Sequence, residues 1–557
     1  KLFKYALSLS DKNEVKEKIK LFSPMLYTSG IYPAKFSCTK LTTVLAEHPD
    51  YSNSAIVFNL EQDPSLLLEL DIDELNVDYL VDVLDIIGDT NIEISNIQLD
   101  SRNISKGEMF IALAGNSKSG DEFIQSAIIN GAKAIICHNI PSNCSENVTY
   151  ILVNDSNDAL SVISNNFYDF PSKKLEIVGV TGTNGKTSIV SLLHQLFSIR
   201  GYKCGLISTI ENIIDQEKYI STHTTPDILQ INFLLSKMVE VGCSYCFMEV
   251  SSHALDQNRI KGLNFKIAVF TNITHDHLDY HKSFKNYLNT KKSFFDNLEK
   301  TAIALINSDD KNADVMMQNS LAEKYTYSLQ SISDYKCKII ESDFDGMLLE
   351  VDNYKTWVKL VGKFNAYNLL AVYSVSKLLE GDTDEILQAL SIVSSAEGRF
   401  QTLKSDNNIV FIIDYAHTED ALQNVLSTIN SIRKKNQNLI TVFGCGGDRD
   451  RLKRPLMTNV ACKLSSQVII TSDNPRNENI SDIISDMLTG INEQNIEKTI
   501  VINDRKQAIK TAFKLAKSND IILVAGKGHE KFQEISEVKI PFDDKQEILK
   551  LINKNIN

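Results

Sequence analysis

From Asn91 onward the chain repeats one pattern: a short apolar run, closed by a polar or glycine-rich cluster, then an amphipathic stretch. Runs of that kind alternate as strands and helices and predict α/β architecture with largely parallel sheets. Ile94 to Leu99, Met109 to Leu113 and Ala134 to Cys137 read as strands around a helix at Asp121 to Asn130. Leu175 to Val180, Cys246 to Val250 and Lys266 to Phe270 read as strands of a second region. Val410 to Ile413, Ile440 to Phe443, Val468 to Ile470 and Ile521 to Val524 read as those of a third. Residues 1–76 differ, with aromatic and Thr-rich runs and one apolar stretch, Ala55 to Phe58, that predicts a small β-containing piece. The expected divisions are 1–76, 77–172, 173–398 and 399–557.

In open α/β sheets ligands bind beyond the carboxyl ends of the strands, so the residues closing each apolar run carry the chemistry. After Leu175 to Val180 comes Thr181-Gly-Thr-Asn-Gly-Lys-Thr-Ser188, which opens an amphipathic helix. This is the layout of a phosphate-cradling loop. Gly182 and Gly185 free the backbone to aim N–H groups inward, Lys186 reaches terminal phosphates, and the Thr187 hydroxyl suits Mg²⁺. A strict pattern would place its first glycine at Val180, whereas this chain has Gly179 and Gly182. Glu249 and His277, after the next two runs, are candidate metal ligands with Thr187. Ser251, Ser252 and His253 lack the strained turn of a hydrolase nucleophile and fit ligand binding better. The third region ends its strands in Asp414-Tyr-Ala-His417, Gly444-Cys-Gly-Gly-Asp-Arg-Asp450, Asp473-Asn-Pro-Arg476 and Gly526-Lys-Gly-His-Glu530, which implies a second ligand surface facing the nucleotide.

A net charge of −13 argues against a polyanion binder, so no nucleic-acid partner is expected. Nine scattered cysteines are no disulfide framework, and Cys243 with Cys246 reads as core packing. With no long apolar span and no leader-like start, a cytoplasmic protein free of membrane contact is expected.

Taken together, the clusters resemble the Mur ligase family over about residues 77–557. They include Leu99-Asp-Ser-Arg102, the loop from Gly179 to Thr187, Thr224-Thr-Pro226, Glu249-Val-Ser-Ser-His253, Thr271-Asn272 with Asp276-His-Leu-Asp279, Gly362-Lys-Phe-Asn365 with Asn368, Asp414-Tyr-Ala-His417, Asp473-Asn-Pro-Arg476 and Gly526-Lys-Gly-His-Glu530, all in family order. The resemblance implies three domains: a small UDP-binding α/β domain, a central ATPase-like domain and a Rossmann-like last domain. It also implies the chemistry. ATP would phosphorylate the free carboxylate of the D-Glu residue in UDP-N-acetylmuramoyl-L-alanyl-D-glutamate, and an amine would attack the acyl phosphate.

By the same likeness Gly182 to Ser188 (Thr183 and Asn184 included), with Asn365, Asn368, Arg399, Asp414 and His417, would contact ATP or link its domain to the last. Ser101 and the Asn116-Ser117 turn would contact the UDP part; Thr224, Thr225, Ser251, Gln257 and Arg259 would hold the muramoyl dipeptide. Mg²⁺ would sit with Thr187, Glu249, His277 and a lysine carbamylated by CO₂, by position Lys291, with Lys292 adjacent. Lys186, Glu249, His277 and Lys291 form the implied catalytic set. The Asp473-Asn-Pro-Arg476 cluster resembles that of members taking meso-diaminopimelate. A guanidinium can grip the second carboxylate of that amine, whereas lysine would bring a like charge. Arg449, Asn474, Gly526 and Glu530 would complete the pocket, with Glu530 suited to the distal ammonium. A monomer is expected.

Two positions depart from the family: Leu452 replaces a glycine and Glu419 a proline, so the loop carrying Arg449 is expected to be shaped differently. Residues 1–76, through Ser23 to Ile31, Glu47-His-Pro49, Asn59 to Pro64 and Leu68 to Asp71, resemble part of bacterial exonuclease I without its acidic metal-binding residues. That segment is expected to be a passenger. The competing readings are a lysine-adding sibling, a folylpolyglutamate-type ligase, and a DNA-repair protein; Arg476, the UDP-type first domain and the overall acidity count against each in turn.

Overall fold

The computed structural model describes residues 83–114, 119–379, 381–536 and 538–554, and by backbone course two strands, Lys35–Thr39 and Thr43–Glu47. Those two pair antiparallel. The Ala55 to Phe58 stretch lies outside the described residues. The chain divides into two compact units: residues 1–174 with 226–236 and 257–263, and the remainder.

The first unit carries a five-stranded sheet in the order Val83–Ile87, Thr149–Val153, Ala134–Cys137, Met109–Ile111, Ile97–Gln98. All neighbours are parallel except the first pair. Ile111, Ile136 and Ile151 pack one face against Ala159 and Leu160, while Phe110, Ile135 and Tyr150 pack the other against Ile124 and Ala127. Both faces are covered, which is why these strands read as unbroken apolar runs. The expected strand at Ile94 to Leu99 contracts to Ile97–Gln98, an edge strand whose one neighbour has only three residues. The expected helix starts as a 3₁₀ turn, Gly120–Phe123, and continues as Ile124–Asn130.

The second unit holds two large sheets. An eleven-stranded sheet centres on Glu176–Thr181, flanked in parallel by Tyr245–Glu249 and Ile267–Phe270. Its far end, Tyr335–Ser342, Met347–Val351 and Tyr354–Val358, is an antiparallel meander. There Met347, Leu349 and Val351 face a core shared with Leu369, Leu370 and Tyr373 of helix Lys363–Leu379. The six-stranded sheet runs Gln401–Lys404, Val410–Asp414, Ile521–Ala525, Leu439–Phe443, Gln467–Ile470, Thr499–Val501, and is parallel after the first pair. Helices cover both its faces, Leu422, Leu426 and Met457 on one and Ala508, Ile509 and Ile548 on the other. Among the described residues no helix is long and apolar enough to cross a membrane.

Candidate active site

The turn after Glu176–Thr181 is pinned from the neighbouring strand end. Thr271 Oγ1 donates to Asn184 O (2.6 Å), Thr183 N to Asn272 O (2.8 Å) and Asn184 N to Asn272 Oδ1 (3.0 Å). The approach is so close that a Cβ at Gly182, whose φ is +147°, would lie 1.9 Å from Thr271 Oγ1. Only glycine fits, so Gly182 provides the tight turn the strict pattern would assign near Val180. Gly185, in the left-handed region, precedes helix Lys186–Ile199, which presents its free N–H groups to the loop. Lys186 Nζ donates to Gly182 O and Thr183 O, both at 2.9 Å, and burial lowers its pKa below the ordinary lysine value. Ser188 is half-buried in the first turn of this helix.

Glu249 is 1% exposed, yet its carboxylate is satisfied. Oε2 accepts from Thr187 Oγ1 (2.9 Å) and Oε1 from Thr209 N (2.7 Å). Thr187 Oγ1 also accepts from Arg399 Nη2 (3.2 Å). Among the described residues no three His, Cys, Asp or Glu side chains converge on one point. A hydroxyl and a buried carboxylate in contact beside the loop are nonetheless the hard oxygen donors Mg²⁺ takes, with phosphate and water completing its shell. Lys291 Nζ, fully buried, donates to Gly182 O at 2.9 Å. Burial, aided by Lys186, holds its pKa well below the ordinary value, which favours the neutral amine. Lys292 is turned away and pairs with Asp296.

His277 takes a left-handed conformation (φ +53°). Its ring lies beside His253 (centroids 4.9 Å apart), with Nε2 3.5 Å from Asp276 Oδ2; burial, then nearby charges including Lys186 and Lys291, lower its pKa to about 4. Although burial opposes it, His277, His417 and Lys186 keep Asp276 below the usual carboxylate range.

Side chains flanking the first two strands of the six-stranded sheet reach this loop. Besides Arg399, Asp420 accepts at Oδ2 from Asn184 Nδ2 (2.9 Å) and Thr274 Oγ1 (3.2 Å). The sequence patterns did not single out Asp420; its place three residues after His417 was the available signal. Asp414 accepts from Phe400 N (2.7 Å) and Ala416 N (2.8 Å), and so fixes the backbone next to Arg399, whose guanidinium lies 4.6 Å from the Tyr415 ring centroid. His417 Nδ1 is 2.9 Å from Tyr415 O. Asn365 donates to Val361 O and accepts from Asn368, whose Oδ1 would meet a Cβ at Gly185 at 2.7 Å.

The other endings of that sheet gather a charged cluster. Arg476, with φ +50°, donates from Nη1 to Gly447 O (2.7 Å) and lies 3.3 Å from Glu534 Oε2. Asn474 Nδ2 donates to Glu530 Oε2 (2.7 Å). Gly526 is again forced, since a Cβ there would lie 2.6 Å from Asp473 Oδ2. Arg449 is exposed on a loop held from below by buried Arg454, which pairs with Glu478 and Asp486 and donates to Gly446 O. The loop is not strained at Leu452, which takes an ordinary helical φ of −64°; Asp448 carries the positive φ instead. Glu419 begins helix Glu419–Ile432, capped by Thr418.

Of the residues expected to hold the UDP-linked substrate, Ser101 is buried in a 3₁₀ turn and its carbonyl accepts from Asn130 Nδ2, while Asn116 and Ser117 lie outside the described residues. Thr224 Oγ1 accepts from Thr209, Thr225 Oγ1 donates to Glu249 O, and Ser251 N donates to Thr225 Oγ1. Gln257 and Arg259 belong to the first unit, where the Gln257 side-chain carbonyl accepts from the guanidinium.

Comparison with known proteins agrees with this arrangement. Residues 93–168 match the Mur ligase family catalytic domain, 180–376 the Mur ligase middle domain and 398–528 the Mur ligase glutamate ligase domain; 10–100 match the exonuclease I SH3-like domain. The chain is 52% identical over 466 residues to the UDP-N-acetylmuramoyl-L-alanyl-D-glutamate--2,6-diaminopimelate ligase of Phocaeicola vulgatus, covering 84% of this chain and 96% of that protein. It is 51% identical to the enzyme of the same name from Cytophaga hutchinsonii, covering 85% and 98%. A solved structure of a ligase of that name, 33% identical, superposes with a TM-score of 0.60 over 84% of this chain and 96% of its own. This chain therefore belongs to the Mur ligase family, its three domain matches running from residue 93 to residue 528.

Proposed function

We propose that this protein is the ATP-dependent ligase that joins meso-2,6-diaminopimelate to UDP-N-acetylmuramoyl-L-alanyl-D-glutamate, a step of peptidoglycan precursor synthesis. The observation that carries the reading is the contact of Arg399 and Asp420, from the amine-side sheet, with Thr187 and Asn184 of the phosphate loop. These contacts support a reading in which one chain brings a triphosphate site and an amino-acid site to a single reacting centre.

A carboxylate is a poor acylating agent until one of its oxygens becomes a leaving group. One side-chain oxygen of the D-Glu residue attacks the γ-phosphorus, ADP departs, and the amine then attacks the acyl carbon and expels inorganic phosphate. Lys186 and the amides of the loop neutralise charge gathering between the two anions. Mg²⁺, held by Thr187 and Glu249 with His277 and the carbamate of Lys291, would supply further charge neutralisation between carboxylate and phosphate. The low pKa of Lys291 supports carbamylation, because CO₂ combines with the free amine. Arg399, Asp414, His417, Asn365 and Asn368 orient the nucleotide and couple the two sheets.

Arg476 grips the second carboxylate of the incoming amine, and Arg449, Asn474, Gly526 and Glu530 shape the rest of its pocket. Ser101, Asn116 and Ser117 contact the uridine diphosphate; Thr224, Thr225, Ser251, Gln257 and Arg259 hold the muramoyl dipeptide. The divisions at 76/77, 172/173 and 398/399 follow these roles, with residues 1–76 a passenger. The enzyme works in the cytoplasm, where ATP and nucleotide-linked sugars are available, and as a monomer.

The test is ligation followed by mass spectrometry with ATP, the UDP-linked dipeptide and each candidate amine. A product one diaminopimelyl residue heavier, formed with equal ADP, is expected. Equal turnover with lysine would overturn the choice of amine.

A further inference from the structure

Lys527 lies inside the amine-side cluster and is fully buried. Its ammonium donates to Asn474 Oδ1 (2.9 Å) and Glu530 Oε2 (2.8 Å) and stands 3.7 Å from Asp473 Oδ1. Asn474 is thereby committed at both ends: Oδ1 accepts from Lys527 and from Glu534 N (3.0 Å), and Nδ2 donates to Glu530. An amide has one carbonyl and one NH₂ end, so a cation on one side and a carboxylate on the other allow a single orientation. Glu530 Oε2 accepts from both Lys527 and Asn474, while Oε1 has no hydrogen-bond partner among the described residues. Glu530 is partly open, its side chain 19% exposed, whereas Lys527 has no access to solvent.

An ammonium in the interior carries a large desolvation cost unless it is paired, and it would be replaceable by an apolar side chain if packing were its only task. Here its partners are the two side chains assigned above to the incoming amino acid. We propose that Lys527 is a positioning residue of the amino-acid pocket. It orients the Asn474 amide and occupies one oxygen of Glu530, so that only Oε1 is left for the ammonium of the substrate. The pocket then accepts a cation at one place rather than two, which sets register as well as charge. This inference rests on the proposed function.

The test is steady-state ligation by Lys527→Met and Lys527→Arg, with KM measured separately for ATP, the UDP-linked dipeptide and diaminopimelate, and with thermal melting of each variant. For Lys527→Met the expected result is a rise of at least tenfold in KM for diaminopimelate, with the other two KM values and kcat at saturating diaminopimelate within about threefold. In a Glu530→Gln background the same substitution should add less than threefold. A variant melting like the wild type with an unchanged KM for diaminopimelate would overturn the proposal, as would an equal rise for all three substrates. Should Lys527→Met fail to fold, Lys527→Arg decides: its bulkier head must displace Asn474 or Glu530, and an unchanged KM would again overturn it. Absence of ligation by the wild-type chain would instead count against the proposed function.

Discussion

Arg505 and Asp544 form an ion pair with no solvent access on either side chain, beneath the six-stranded sheet. Nε and Nη2 donate to the two carboxylate oxygens at 2.8 and 2.7 Å, Nη2 also donates to Ala525 O (2.9 Å), and Nη1 to Ser472 O (3.3 Å). Those carbonyls immediately precede Gly526 and Asp473, so the pair ties the last helix to the two turns that carry the amino-acid pocket. Arg505→Met keeps much of the volume but strands the carboxylate and both carbonyls. Removing one partner of a buried pair costs about 3–5 kcal/mol, a large share of the roughly 5–15 kcal/mol that holds a domain folded. At about 2–4 °C per kcal/mol the melting midpoint of this domain should fall by roughly 6–20 °C. Circular dichroism and urea titration read this directly. Arg505→Met with Asp544→Leu should regain most of the loss, because no unpaired charge remains. A single variant destabilised by less than about 1 kcal/mol, or a double variant as unstable as the single, would refute the argument that desolvation dominates here.

Arg476→Ala removes a charge-assisted grip worth about 1.5–3 kcal/mol, so KM for diaminopimelate should rise about tenfold or more with little change for ATP, read by ADP release. Lys291→Ala should cut turnover by at least about a hundredfold, given the weight of charge stabilisation at such sites, and propionate should restore part of it; ¹³C NMR in labelled bicarbonate should show a carbamate signal in the wild type alone. His417 and His529 are held neutral by burial, with pKa values lowered to about 4 and about 3. Their contribution to stability is complete above the unfolded value of about 6.5 and is lost as pH falls through 6.5 toward about 4 for His417 and about 3 for His529. The melting midpoint should therefore drop over that window, and less steeply in His417→Gln.

Strand cores and the chemistry at their ends were readable where both faces of a sheet are covered, as in the five- and six-stranded sheets, which leaves apolar runs that stop at the ligand edge. The meander from Tyr335 to Val358 was not, since one of its faces is polar and its strands lack a loaded ending. Lys291 and Lys292 are neighbours on one helix, and periodicity cannot say which faces the loop; only the fold turns Lys291 to Gly182 O and Lys292 to Asp296. Asp420, Arg454 and Arg505 look like ordinary surface charges in sequence. Their importance comes from side-chain partners far along the chain, Asn184 for Asp420, Glu478 for Arg454 and Asp544 for Arg505, which no local pattern encodes.

In the proposed reaction the carboxylate is activated as an acyl phosphate at the loop before the amine attacks. This activation is tested most directly by ligation of UDP-linked dipeptide carrying ¹⁸O in both oxygens of the D-Glu side-chain carboxylate, with mass analysis of the phosphate released. One ¹⁸O in each phosphate formed is the expected result; phosphate free of the label, with amide product accumulating, would rule out the acyl phosphate.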